Sequence, residues 1–226
     1  MAVLGLVLLT WAAPASAQRA GPSLRRAEGV VALIGGSAPG PGVRVVLESD
    51  VTLLARIRLA GRSHGELPLG PLPPPLLRAT LDEIVGQLLI VREAERVRVS
   101  PPTGRDVATQ RAQIGDLAGG ETRLRELMRA LGVGADDLLA VARRRATVRR
   151  FLAANLEGTS VVTEEEVERA YAAGDHPFIG QPLEEVREAM RVYLTRRAVD
   201  RAVVRWVSVL RQRTPMRLLA PYAASP

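Results

Sequence analysis

Apolar and polar positions follow different rules along this chain, and each change of rule marks a boundary. The first rule is strand-like. Val30 to Ile34 and Val43 to Leu47 are short runs of Val, Leu and Ile, and the Gly- and Pro-filled stretch 35–42 between them predicts a hairpin with a long turn. A Gly-rich loop can also cradle phosphate, but that motif needs Gly-Lys-Ser/Thr leading into a helix. This loop has no Lys and leads into a strand. From Val51 the period becomes helical: Leu53, Leu54, Ile57 and Ala60 share a face, Ser49 or Asp50 offers an N-cap, and Gly61 is expected to stop the helix. Residues Arg62 to Pro75 read as a loop.

From Leu76 to Arg96, Leu77, Leu81, Ile84, Leu88 and Val91 recur at steps of three and four, and Val85 and Leu89 widen the stripe. So wide a face predicts a helix buried between neighbours. Shorter helices are expected at about Arg105 to Leu117 and Glu121 to Leu131. Asp136-Asp137 opens another, with Arg143 to Arg150 in its later turns, an order that complements the helix dipole. Thr163 followed three residues later by Glu166 predicts a capping box for a helix ending near Gly174. A long helix is expected from Pro182, at its first helical position, to about Arg213, with Trp206 on its buried side. Met216 to Leu219 is long enough for one strand. The predicted fold class is mainly α: one helical domain over 29–222, with a small N-terminal β-hairpin and a C-terminal strand. Its N-terminal part is 29–173, and its C-terminal helix and strand are 182–220.

Composition changes this picture in three places. Aromatic residues are only 3% of the chain, so the core must be built from Leu, Val, Ile and Ala. All 31 basic residues are Arg and the formal net charge is +7. Clusters such as Arg143 to Arg145 could meet nucleic acid or anionic lipid, but acidic runs alternate with them, which predicts solvated helix faces and no nucleic-acid partner. Cysteine is absent, which excludes disulfides, thiolate metal sites and a cysteine nucleophile.

The first residues carry a compartment signal. An apolar stretch from Ala2 to Ala12 is followed by Pro14 and Ala15-Ser16-Ala17, the small-x-small pattern of a signal-peptidase site. Residues 1–17 are therefore expected to be a signal peptide cleaved between Ala17 and Gln18, with 18–28 a flexible leader. That places the mature chain in the periplasm or elsewhere outside the cytoplasm. No stable membrane span is expected after cleavage, since the apolar run is far shorter than the ~20 residues a spanning helix needs.

Chemistry is sparse. His64 lies in the Pro/Gly loop and His176 in a turn before Pro177; neither has a partner at metal-ligand spacing, and both read as surface residues. No Ser or Thr lies in a setting that suggests an activated nucleophile. Glu164 to Glu166 and Glu184-Glu185 fall in helix first turns, where the dipole accounts for them. The sequence thus offers no candidate catalytic residue, no cofactor-binding residue and no metal ligand, and it favours a binding protein over an enzyme.

Val45-Val46-Leu47-Glu48-Ser49-Asp50-Val51 resembles the strand-to-helix start of the SurA-type periplasmic chaperones. Leu77 to Ile90, the short Val97 to Ser100 segment, Leu131-Gly132-Val133, Asp136-Asp137-Leu138 and Val162 to Val167 resemble later parts of that family's N-terminal domain. Leu183 to Arg213 with Met216 to Leu219 is similar to its C-terminal helix and strand. The family usually carries one or two parvulin-type prolyl isomerase domains between these parts, and only Ala172 to Gln181 occupies that place here. The resemblance implies a chaperone core without isomerase activity that binds unfolded or partly folded envelope proteins, with a separate isomerase as a possible partner. A non-catalytic accessory module that binds one folded partner in an envelope complex is the alternative.

Overall fold

The two strand-like runs pair as expected, and the far end of the chain joins them. The structure, a computed structural model, describes residues 29–63, 65–156 and 162–223. The expected signal peptide, its expected cleavage point between Ala17 and Gln18, the expected leader and His64 lie outside the described residues. Strand β1 (Val30–Ile34) lies between β2 (Arg44–Leu47) and β3 (Met216–Leu218) in an antiparallel sheet. Ala32 faces Val46 on one side and Leu218 on the other. Val31, Ala32, Leu33 and Ile34 are all buried, so β1 is covered on both faces and reads as one apolar run rather than an alternation. Gly35 at φ 95° and Gly42 at φ 77° bend the chain at either end of the hairpin loop, a conformation that a β-carbon disfavours.

Seven α-helices are found among the described residues: α1 (Glu48–Arg62), α2 (Pro74–Arg96), α3 (Gly104–Leu117), α4 (Glu121–Leu131), α5 (Ala135–Leu156), α6 (Glu164–Ala173) and α7 (Leu183–Arg213). A single 3-10 turn at Pro221–Ala223 follows β3. Helix α1 starts three residues before the expected Val51, directly off the end of β2. Its N-cap is Leu47, and Asp50 acts from inside the first turn, its carboxylate accepting the Leu47 amide at 3.0 Å. The Thr163–Glu166 capping box forms as expected. Thr103 and Asp106 make a second one at the start of α3. Pro182 caps α7 from one position before its first turn.

Gly61 does not end α1. The helix runs through Arg62, and a β-carbon at 61 would sit 2.1 Å from the Leu117 carbonyl oxygen. The glycine is there so that the end of α1 can touch the end of α3. Arg123 of α4 closes the same corner, donating from Nε to the Ala60 carbonyl and from Nη1 to the Gly65 carbonyl, each at 2.9 Å. Carbonyls at a helix end need such partners.

Helix α1 divides the interior. Val51 and Leu54 pack with the sheet, α2, Phe151 of α5 and Leu210 of α7. Leu53, Ile57 and Ala60 face Ile114, Leu124 and Ala142 on α3, α4 and α5. A third, smaller cluster joins Val167 of α6 to Val186 and Met190 of α7. Helix α7 therefore leans on α6 near its start and on α2 and α5 near its end. Trp206 departs from its expected burial: it is half-buried, packed on Phe151 with ring centroids 4.6 Å apart and planes tilted by 41°. Phe151, at 1% exposure, is the aromatic at the centre.

Candidate functional site

Where α7 leans on α2 and α5 the contact is incomplete, and a groove of about 500 Å³ runs between them. Such a volume lies within the roughly 300–1,000 Å³ of ligand pockets. Helical spacing builds each wall. Asp82, Gly86 and Ile90 recur every four residues on α2, Val203 and Val207 do so on α7, and Val148 of α5 closes the end. Gly86 is buried, and a β-carbon there would stand 3.5 Å from Val207 Cγ1, an ordinary contact. Val204, on the α7 wall, is 69% exposed. Long, apolar and open to solvent, the groove can hold an extended aliphatic segment by burial alone.

Its polar border is a chain of ion pairs and amides. Arg211 of α7 donates to Asp82 Oδ1 at 2.9 Å and fastens the two walls together. Glu83 pairs with Arg58 of α1 and accepts from Gln87 Nε2 at 3.0 Å. Gln87 Oε1 in turn accepts from Arg144 Nε at 3.0 Å. Arg144 Nη2 is buried without a hydrogen-bond partner. Burial lowers the pKa of Arg58, Arg144 and Arg145 from the usual guanidinium value. Like charge on Arg145 adds to that effect at Arg58 and Arg144, and Asp50 opposes it at Arg144. The Arg143 to Arg145 run is thus not the solvated face its composition suggests. Only Arg143 is exposed; Arg144 and Arg145 are half-buried.

His176 is also corrected, from surface residue to buried one. The Phe178 amide donates to its Nδ1 at 3.1 Å, so Nε2 carries the hydrogen and donates to the Tyr171 carbonyl at 3.1 Å. Its ring stacks on Tyr171 with centroids 5.0 Å apart. These contacts fix the turn between α6 and α7. The acidic first turns act in packing: Glu164 reaches across to Arg187 and to Arg191, the latter at 2.6 Å. Among the described residues no group of His, Asp and Glu is arranged to hold a metal ion, and no helix is long and apolar enough to cross a membrane.

Sequence alone does not single out the groove residues, because each apolar position there fits a helix core equally well. The signal available was a glycine in the middle of α2 with paired valines on α7. Gly86→Ala tests the geometry. The β-carbon meets Val207 at ordinary contact distance, so helix propensity should dominate and raise stability by about 1 kcal/mol in urea unfolding. A loss of stability would mean that α7 lies closer to α2 than described.

No protein-family model matches this chain, and no curated protein matches it in sequence.

Proposed function

We propose that the chain is an extracytoplasmic, periplasmic folding chaperone, a holdase for non-native envelope or outer-membrane proteins, with no isomerase chemistry of its own. The observation that carries this reading is the solvent-open apolar groove between α2, α5 and α7, lined by Gly86, Ile90, Val148, Val203, Val204 and Val207. Exposed apolar surface rimmed by polar groups marks a site for another chain. Extended segments are held there by side-chain burial.

Two further points support it. The V-V-L-E-S-D-V segment, by which the chain resembles the SurA-type chaperones, runs from β2 into α1. The C-terminal strand then returns to pair with β1, so sequence-distant pieces build one core and leave α7 partly uncovered. The Arg-rich surface would aid encounter with acidic clients.

Light scattering of a diluted, unfolded outer-membrane β-barrel protein provides the test. Near-stoichiometric amounts of this protein should suppress aggregation without ATP, with a Kd around micromolar, or about −8 kcal/mol. Val204→Asp should weaken protection severalfold while leaving the fold intact, because Val204 is 69% exposed. Proline-limited refolding should run at its uncatalysed rate of roughly tens to hundreds of seconds. No protection at severalfold excess, with tight binding to one folded envelope protein, would favour the accessory-module reading.

A further inference from the structure

A second concavity, sharing no residue with the apolar groove, lies between α3, α5 and the segment joining α2 to α3. It encloses about 770 Å³ and is walled by four arginines, Arg98, Arg105, Arg149 and Arg150, against one carboxylate, Asp106. That carboxylate is already engaged. It accepts from the Thr103 amide and hydroxyl at 2.8 Å each and from Arg150 Nη1 at 3.0 Å. Asp106 therefore holds Arg150 in place and is itself largely neutralised. Among the described residues nothing pairs with the side chains of Arg98, Arg105 or Arg149. Three exposed, unpaired guanidiniums line one cleft, and there they are met by solvent or by an anion.

The backbone supplies an independent observation. Arg98 has φ 57°, the one non-glycine residue with positive φ among those described. It follows the last turn of α2, where the Val99 amide bonds the Ala94 carbonyl at 2.9 Å and the Arg98 amide bonds the Glu95 carbonyl at 3.2 Å. This closure ordinarily takes glycine, because a β-carbon is strained in the left-handed region. An arginine holds the position instead, at a cost in strain that its side chain, which has no hydrogen-bond or ion-pair partner among the described residues, does nothing to offset. Strain at a residue facing a cleft is a pointer to function.

We propose that this cleft binds a phosphate-bearing oxyanion, either on a free small molecule or as the headgroup of an anionic lipid. Planar guanidiniums present paired N–H donors that match phosphoryl oxygens, and several such groups around one concavity focus positive potential where the anion sits. Ser100, also on the wall, adds a hydroxyl. The proposal stands apart from client binding and does not need it.

The test uses the mature chain from Gln18, with inorganic pyrophosphate followed by calorimetry and with vesicles of phosphatidylglycerol or phosphatidylcholine followed by co-sedimentation. The wild type should bind pyrophosphate, phosphatidylglycerol vesicles or both, more weakly as salt rises. The R98Q/R105Q/R149Q variant should lose at least tenfold in affinity. A control with equal charge loss on α7, R196Q/R201Q/R205Q, should lose little. Binding of pyrophosphate identifies a soluble ligand, and cleft-dependent binding of anionic vesicles alone identifies a headgroup. Arg98→Gly separates function from stability: binding should weaken severalfold while the thermal midpoint holds or rises. Absence of binding to both probes, or equal loss in the α7 control, overturns the proposal.

Discussion

Phe151→Ala should lower stability by about 3–5 kcal/mol, the cost typical of truncating a core aromatic. Phe151 is 1% exposed and packs with β1, α1, α2 and α7 around the interior. Its core cluster includes Leu54, Leu81, Ile84 and Leu89, which are held by their own helices, so the space left by the ring should collapse little. Trp206→Ala should cost roughly half as much, because Trp206 is half-buried and covers Phe151 from outside. Urea unfolding followed by far-UV circular dichroism measures both. A Trp206 variant that costs as much as the Phe151 variant would mean that the long helix packs more deeply than described.

That pair shows where the sequence was legible. Periodicity and capping signals together locate every described helix to within a few residues at its ends, because apolar spacing and capping chemistry act locally. The Thr163–Glu166 box and the hairpin are such local features. The pattern cannot say how deeply a face is covered, so by sequence Trp206 reads as buried and Phe151 carries no mark of its central place. Gly61 departs from its expected role for a related reason. A helix-ending glycine and a helix-contact glycine look alike in sequence, and only the Leu117 carbonyl beside it tells them apart.

The candidate site was less legible still. Its groove comes from an incomplete fit between α2 and α7, whose contributing residues are more than a hundred positions apart in the chain. Arg144 turned inward because α5 packs against α2, where Gln87 meets it. Charge patterning alone favoured solvent for that residue. Arg98 carries its signal in a backbone angle, which no single-sequence pattern expresses.

Ending the chain after Gly180 should abolish cooperative unfolding altogether. That truncation removes α7 and β3 together, so β1 loses its partner at Ala32, Leu33 and Ile34. The sheet falls to a two-stranded hairpin, which is marginal in water on its own. The sides of α2 and α5 that meet Val203, Trp206, Val207 and Leu210 become exposed at the same time. A narrower cut after Thr214 keeps α7 but deletes β3. It removes the bonds from the Gly35 amide to the Pro215 carbonyl at 2.8 Å and from the Leu219 amide to the Val31 carbonyl at 2.9 Å. It also removes the Tyr222 hydroxyl that donates to Glu48 at 2.7 Å across the start of α1. The shorter deletion should therefore lower the urea midpoint but keep one transition. Trp11 and Trp206 are the two tryptophans of the sequence, so in a protein produced from Gln18 onward the fluorescence of Trp206 reports whether α7 stays docked. Far-UV circular dichroism, which needs no tryptophan, follows the Gly180 product. If that product unfolds in one sharp transition at the full-length midpoint, the C-terminal helix and strand are not part of the core.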